Sequence, residues 1–249
     1  MSKPRLAIFD FTCCEGCQLQ IINLEEEILN LISIVTPVKW REAMSEESDD
    51  YDIAIVEGSV TRPEDEEKLR KVREKAQVLI SLGACATTGG VNRLKNNFDL
   101  YAVKHCVYGK DAELPHLATA PTKAVHEVVD VDYKIHGCPI DRKEFAYIMR
   151  CIAFGKKPEI PNYPVCVECK IKENICRYEY AEMCLGPVTR AGCGAHCPTH
   201  SAWCVGCRGY VDEPNLHAAK EIISKYDISI EQLKNRMLIF GSEQRYNDE

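Results

Sequence analysis

The chain has 249 residues, 45% of them hydrophobic, and a formal net charge of −7. That length accommodates one ordinary domain with a smaller appendage, and that hydrophobic share excludes global disorder. Acidic and basic residues are interspersed with no basic stripe to neutralise phosphates, so no nucleic-acid partner is expected; nor does any run approach the roughly 18 apolar residues of a membrane span.

At the N-terminus, Lys3 and Arg5 precede Leu6-Ala7-Ile8-Phe9, an apolar run too short for a signal-peptide core and broken by Asp10. A cytoplasmic location is the expectation, where thiols stay reduced. Residues 5–11 read as a buried strand and 18–31 as one amphipathic helix, with Leu19, Ile22, Ile28, Leu29 and Ile32 at roughly helical spacing. Residues 51–56 (YDIAIV) read as a second strand, and Pro63 opens a charged helix to about Lys75, since proline suits a first turn. Residues 78–82 (VLISL) make a third strand stopped by Gly83, residues 133–135 a short fourth, and residues 141–154 a helix ended by Gly155. Strands alternating with helices predict an α/β fold built on a mostly parallel, doubly wound sheet. After Gly155 come Pro158, Pro161 and Pro164, and no clear periodicity returns until Leu216, from which one or two helices run to Leu238. The expected domains are therefore 1–157 and a smaller, mostly irregular and helical 158–249.

Fifteen cysteines in a reduced compartment are hard to explain as disulfides. Cys106 and Cys151 stand alone and are expected to fill the core as small hydrophobes. The others lie in patterns. Cys14 and Cys17 follow the first strand, Cys85 the third, and Cys138 the fourth. In a parallel sheet the carboxyl ends of all strands share one edge, and ligands sit in the crevice there. Four thiolates meeting at one edge suit a tetrahedral sulfur site, either a 4Fe–4S cluster or zinc. Cys13, next to Cys14, is an alternative ligand, although a two-residue gap to Cys17 is the commoner loop geometry. Glu57 ends the second strand and is either a group facing that crevice or a solvated loop carboxylate.

Eight more cysteines follow in two sets: Cys166, Cys169, Cys176 and Cys184, then Cys193, Cys197, Cys204 and Cys207. Two four-cysteine zinc sites are one reading, but the gaps of six and seven residues fit paired zinc knuckles poorly. Cys197-Pro198 and Cys138-Pro139 resemble the Cys-Pro that closes ferredoxin-type motifs, which favours two 4Fe–4S clusters. Such clusters would hold together a segment too small and polar to fold on burial alone. His196 and His200 are expected to be bystanders. Val165, Val167, Ile171, Leu185, Trp203 and Val205 are expected to pack around the clusters.

Together these motifs closely resemble the small subunits of cytoplasmic, group 3-like nickel–iron hydrogenases. The residues that carry the likeness are CEGC at Cys14, VEGS at Glu57, GACATTGG at Cys85, GCP at Cys138, CLGPVTRAGCGAHCP from Cys184, and CVGC from Cys204. The resemblance implies a flavodoxin-like first domain and three 4Fe–4S clusters: proximal on Cys14, Cys17, Cys85 and Cys138, distal on Cys166, Cys169, Cys176 and Cys184, and medial on Cys193, Cys197, Cys204 and Cys207. Glu57 would lie near the proximal cluster, at an interface with the nickel-binding large subunit. Periplasmic relatives have a histidine where this chain has Cys166 and lack a cysteine at the position of Cys197. The large subunit's DPCxxC motif is absent here, so the implied role is conduction rather than hydrogen cleavage. Electrons from hydrogen would pass to a flavin or iron–sulfur partner subunit linked to NAD(P), a deazaflavin or ferredoxin, in some relatives by bifurcation. The alternatives are a cluster subunit of a complex-I-like quinone oxidoreductase, which ligates through adjacent cysteines such as Cys13-Cys14 but leaves the later eight without a role, and a zinc-stabilised interaction module.

Overall fold

Aliphatic residues that are buried on both faces make Arg5–Asp10 the first strand, β1. The computed structural model describes residues 3–113, 116 and 118–240; residues 1–2 and 241–249, which the expected domains include, lie outside the described residues. The chain divides after Pro158 into two compact units.

In the first unit β1 is joined by β2 (Thr36–Trp40), β3 (Ile53–Glu57), β4 (Val78–Leu82) and β5 (Tyr133–Ile135). All pair in parallel, in the order β2-β1-β3-β4-β5, which is the flavodoxin-like doubly wound arrangement. Buried helices on both faces explain why these strands read as continuous apolar runs. One face carries Ala7, Phe9, Ala54, Val56 and Leu79 in a core with Leu69 and Val72 of α3 (Pro63–Lys75). The other is backed by α1 (Gly16–Ile22), α2 (Glu27–Ile34) and α6 (Arg142–Ala153), where α6 packs against both of the others. The α6 helix starts where the Asp141 side chain accepts from the Glu144 N–H at 2.9 Å, a standard N-cap. It buries Phe145, Ile148 and Met149 on one stripe.

Three readings of this unit need correction. The helix expected over residues 18–31 is two helices, because the chain turns at Asn23–Glu26 and Glu25 adopts a left-handed φ of 56°. Three consecutive carboxylates, Glu25 to Glu27, gain little from continuing the helix into the core. Strand β2 is also unanticipated: it is an edge strand carrying Pro37, where a missing N–H costs nothing. Between β4 and β5 lie α4 (Gly83–Thr88), a 3₁₀ stretch at Gly90–Asn97, and α5 (Leu100–Tyr108). Cys106 is exposed on α5, so it does not fill the core, while Cys151 is half-buried.

The second unit has short helices α7 (Val165–Ile171) and α8 (His196–Thr199), then α9 (Leu216–Lys225) and α10 (Ile230–Leu238). Its core joins Val165, Tyr178, Leu185 and Val188 to Ile223, Leu233 and Met237, with Cys184 and Cys204 among them. The Arg236 guanidinium sits 4.6 Å from the Trp203 ring centre, a cation–π contact that ties α10 to the Cys204 loop. Val167 and Ile171 are exposed rather than packed inward, because α7 turns its Cys166 and Val165 side to the core.

Arg93 braces the turn after β4. Its guanidinium makes two bonds to Glu127, at 2.9 and 2.7 Å, and one to the Thr88 carbonyl. Burial pushes the Glu127 carboxyl up, but Arg93 and the Ala124 N–H outweigh it and hold the group below the ordinary value of 4.5. A depressed folded-state pKa contributes stability that is present above 4.5 and is lost as pH falls through the lower value. Glu127→Gln is therefore expected to cost about 1 to 3 kcal/mol in anaerobic urea unfolding at neutral pH. The difference from the unsubstituted protein should narrow in acid.

Candidate functional site

The registers place Asp10, Glu57, Leu82 and Ile135 side by side at the carboxyl edge of the sheet. Cys13, Cys85 and Cys138 each come three residues beyond that row, with Cys14 and Cys17 following on the first loop. Backbone bonds join these loops in pairs. Thr12 and Ser59 exchange N–H to carbonyl bonds at 3.2 and 3.0 Å, and the Ala84 N–H donates to Gly137 at 2.7 Å. The Asn92 amide donates to the Thr12 carbonyl and the Ser59 hydroxyl at 2.8 and 2.9 Å. Arg41, just past β2, pairs with Glu15, a residue held at φ 61° inside the CEGC loop.

Glu57 is 2% exposed, so it is not a solvated loop carboxylate. Its two oxygens accept from the Cys17 and Gln18 N–H groups at 3.1 and 3.2 Å. Burial pushes its pKa up, and those bonds only partly offset the rise.

The thiols around it differ in burial: Cys17 is buried, Cys13 and Cys85 are half-buried, and Cys14 and Cys138 are exposed. Burial pushes Cys13 and Cys85 up to about 12, and raises Cys17 and Cys138 as well. The next contributions are mutual repulsions: Cys85 feels Cys138, Cys14 and Glu57, Cys138 feels Cys14 and Glu57, and Cys17 feels Glu57 and Cys138. Cys13 borders Glu57 and Cys85. The four sequence-predicted cysteines thus lie on neighbouring loops at one edge, with Cys13 beside them.

In the second unit, burial pushes Cys166 up to about 12, reinforced by Cys184, Cys169 and Cys176. Those four also converge. Burial and then Cys193 raise Cys197; burial, then Cys184, and more weakly Cys207, raise Cys204. The second set is therefore brought together as two pairs, with Cys204 at the border of the first set. Its N–H donates to the Cys184 sulfur at 3.3 Å. His196 and His200 are exposed, with their rings 4.4 Å apart.

These surroundings fit a sulfur-ligated metal core. Partly buried soft donors that repel one another as thiolates are stabilised by positive charge among them. The backbone also leaves room beside the sulfurs. A Cβ on Gly83 would collide with the Cys17 sulfur, and one on Gly90 would stand 3.1 Å from that of Cys85. A Cβ on Gly186 would stand 3.2 and 3.5 Å from the sulfurs of Cys166 and Cys184. Among the described residues, no group of three or more His, Cys, Asp or Glu closes on the point a single ion would occupy.

Sequence reasoning passed over three residues that shape these sites. Asn92 ties two loops together, Glu168 accepts from two backbone N–H groups of the Cys193 loop, and Arg208 is 1% exposed and donates to the Ala191 carbonyl. An acid inside CVEC and a cation between Cys207 and Gly209 were the available signals.

Residues 14–152 match the family described as NADH ubiquinone oxidoreductase, 20 Kd subunit. The chain is 36% identical over 224 residues to the sulfhydrogenase 2 subunit delta of Pyrococcus furiosus, covering 89% of this chain and 92% of that one. It is 32% identical over 243 residues to a subunit of the F420-non-reducing hydrogenase vhu of Methanococcus voltae, covering 85% and 84%. Among solved structures, a chain of an NAD+-reducing [NiFe]-hydrogenase in the H2-reduced state superposes with a TM-score of 0.58 at 27% identity, covering 64% of this chain and 96% of that one.

Gly83→Ala is expected to displace Cys17 and to lower iron by about four per chain in anaerobically purified protein. Gly109→Ala serves as the control, since Gly109 is also left-handed but has nothing within 4 Å of its would-be Cβ. It should keep the iron.

Proposed function

The chain belongs to the NADH ubiquinone oxidoreductase 20 Kd subunit family, among its hydrogenase small subunits, and from that premise we propose that it is the electron-transfer subunit of a nickel–iron hydrogenase carrying three 4Fe–4S clusters. Cys14, Cys17, Cys85 and Cys138 would hold the proximal cluster. Cys166, Cys169, Cys176 and Cys184 would hold the distal one, and Cys193, Cys197, Cys204 and Cys207 the medial one. The observation that supports the reading is that the strand registers and inter-loop bonds bring the loops bearing Cys14, Cys17, Cys85 and Cys138 to the sheet's carboxyl edge beside buried Glu57. Bound in these sites, such clusters supply one-electron uptake and release with little rearrangement.

The chain's own residues perform the holding. Glu57 fixes the amide groups at Cys17 and Gln18, so that the Cys14–Cys17 turn keeps its shape. The Ala84 N–H fixes the Cys85 turn to the Cys138 turn. Buried Val165 and Leu185 keep water from the second-unit thiols, and such burial tunes potential. Residues 1–157 and 158–249 divide the work between one cluster and two.

The partners in this reading are a nickel-binding large subunit, with Glu57 close to that interface, and a further flavin or iron–sulfur subunit linked to NAD(P), a deazaflavin or ferredoxin. A cytoplasmic location agrees with fifteen free cysteines and with Cys166 in place of the periplasmic branch's histidine. No described helix is long and apolar enough to cross a membrane.

A second reading, a cluster subunit of a complex-I-like quinone oxidoreductase ligating through adjacent cysteines, draws on Cys13, which borders both Cys85 and Glu57. Cys14 bears on Cys85 and Cys138 both, which favours it as the ligand. Cys17→Ser is expected to abolish the first-unit EPR signal while Cys13→Ser keeps it, and loss in Cys13→Ser with retention in Cys17→Ser selects the second reading. Iron and sulfide analysis of anaerobic protein should give about 12 iron per chain; a value near four would remove both second-unit clusters.

A further inference from the structure

Two segments of the second unit run along one another. The Ala191 N–H donates to the Tyr163 carbonyl at 2.8 Å, and the Val165 N–H to that of Thr189 at 2.9 Å. Farther on, the Asn174 amide donates to the Thr199 hydroxyl at 3.1 Å. Between these contacts, Glu168 sends its carboxylate across. One oxygen accepts from the Gly192 N–H at 2.9 Å and the other from the Ala195 N–H at 3.0 Å. Those two amides flank Cys193 and Gly194, and Glu168 itself stands between Cys166 and Cys169.

The loop it grips is conformationally costly. Gly192, Gly194 and Ala195 all have positive φ, at 113°, 59° and 50°. For Ala195, a residue with a side chain, that conformation persists only where the surroundings impose it. Ala195 is also fully buried, so its N–H needs a protein partner. Lys172, at the end of α7, covers the space beside Gly194. A carboxylate with both oxygens engaged is the strongest clasp available to two neutral backbone donors.

We propose that Glu168 is a positioning residue that clamps the Cys193 ligand loop onto the Cys166–Cys169 turn, fixing the spacing between the two second-unit clusters and setting one negative charge against both. The inference rests on the cluster reading above. Glutamine in its place has a single acceptor oxygen, and its NH₂ opposes the second donor.

The test uses the anaerobically purified complex with Glu168→Gln and Glu168→Asp. The Gln variant is expected to keep its iron, to exchange the backbone hydrogens of residues 190–197 about tenfold faster, and to raise the reduced-to-oxidised ratio of the Cys193-set EPR signal at fixed potential. That rise is about tenfold, equivalent to about 59 mV for one electron. The Asp variant, which retains both oxygens and the charge, should recover part of the potential. Unchanged exchange and unmoved signals in the Gln variant overturn it. So does fast exchange over residues 190–197 in the unsubstituted protein, a measurement that needs no variant to fold. A count near four iron in the unsubstituted protein sinks the cluster reading instead, while the exchange measurement still decides the clamp.

Discussion

Partly buried sulfurs and a buried carboxylate gathered on neighbouring loops repel one another as anions, and positive charge among them relieves that repulsion. Desolvation first, and then repulsion from neighbouring sulfurs, together push Cys85 and Cys166 up to about 12. A polypeptide gains nothing by collecting such groups at the end of a sheet. It gains if they close around a cationic metal–sulfide core, whose binding then contributes to folding. The parallel sheet supplies the meeting point without special effort, since each strand delivers its following loop to the same edge. The left-handed glycines then keep side chains out of the volume beside the sulfurs.

The two units meet the constraint with the same device. In each, a carboxylate takes two backbone N–H groups of a cysteine-bearing loop, Glu57 at Cys17 and Gln18 and Glu168 at Gly192 and Ala195. The donors are thus satisfied by oxygen and the loop is shaped before any metal arrives. Their supports differ. The first unit rests on a five-stranded sheet with covered faces, whereas the second has a modest core into which Cys184 and Cys204 are themselves packed. Its stability accordingly depends more on what its cysteines bind.

Much of this was legible in the residues. Strands β1, β3, β4 and β5 announce themselves because a sheet covered on both faces needs uninterrupted apolar runs, and cysteines placed just after strand ends predict convergence through topology alone. Edge strand β2 hides behind Pro37 and partial burial, so its pattern is weak. The break between α1 and α2 falls inside a helical apolar spacing that the turn at Glu25 overrides. Val167 and Ile171 carry the right chemistry for packing but face outward on a helix too short to reveal its face. The position of Glu57 at a strand end and of Glu168 inside CVEC was legible, but not their bonds, since whether a carboxylate is solvated or clasping amides depends on which distant loop arrives beside it. Family likeness singled out Glu57 and gave no hint of Glu168.

The central claim is that this polypeptide presents three separate four-sulfur sites for one-electron chemistry. An EPR-monitored reductive titration of the native anaerobic complex, with integrated spin intensity referred to this chain, addresses it most directly. Full reduction should develop about three spins per chain beyond those of its partner subunits, each titrating as a one-electron step. A single spin, or a spectrum with no reducible iron–sulfur signal, would contradict the account.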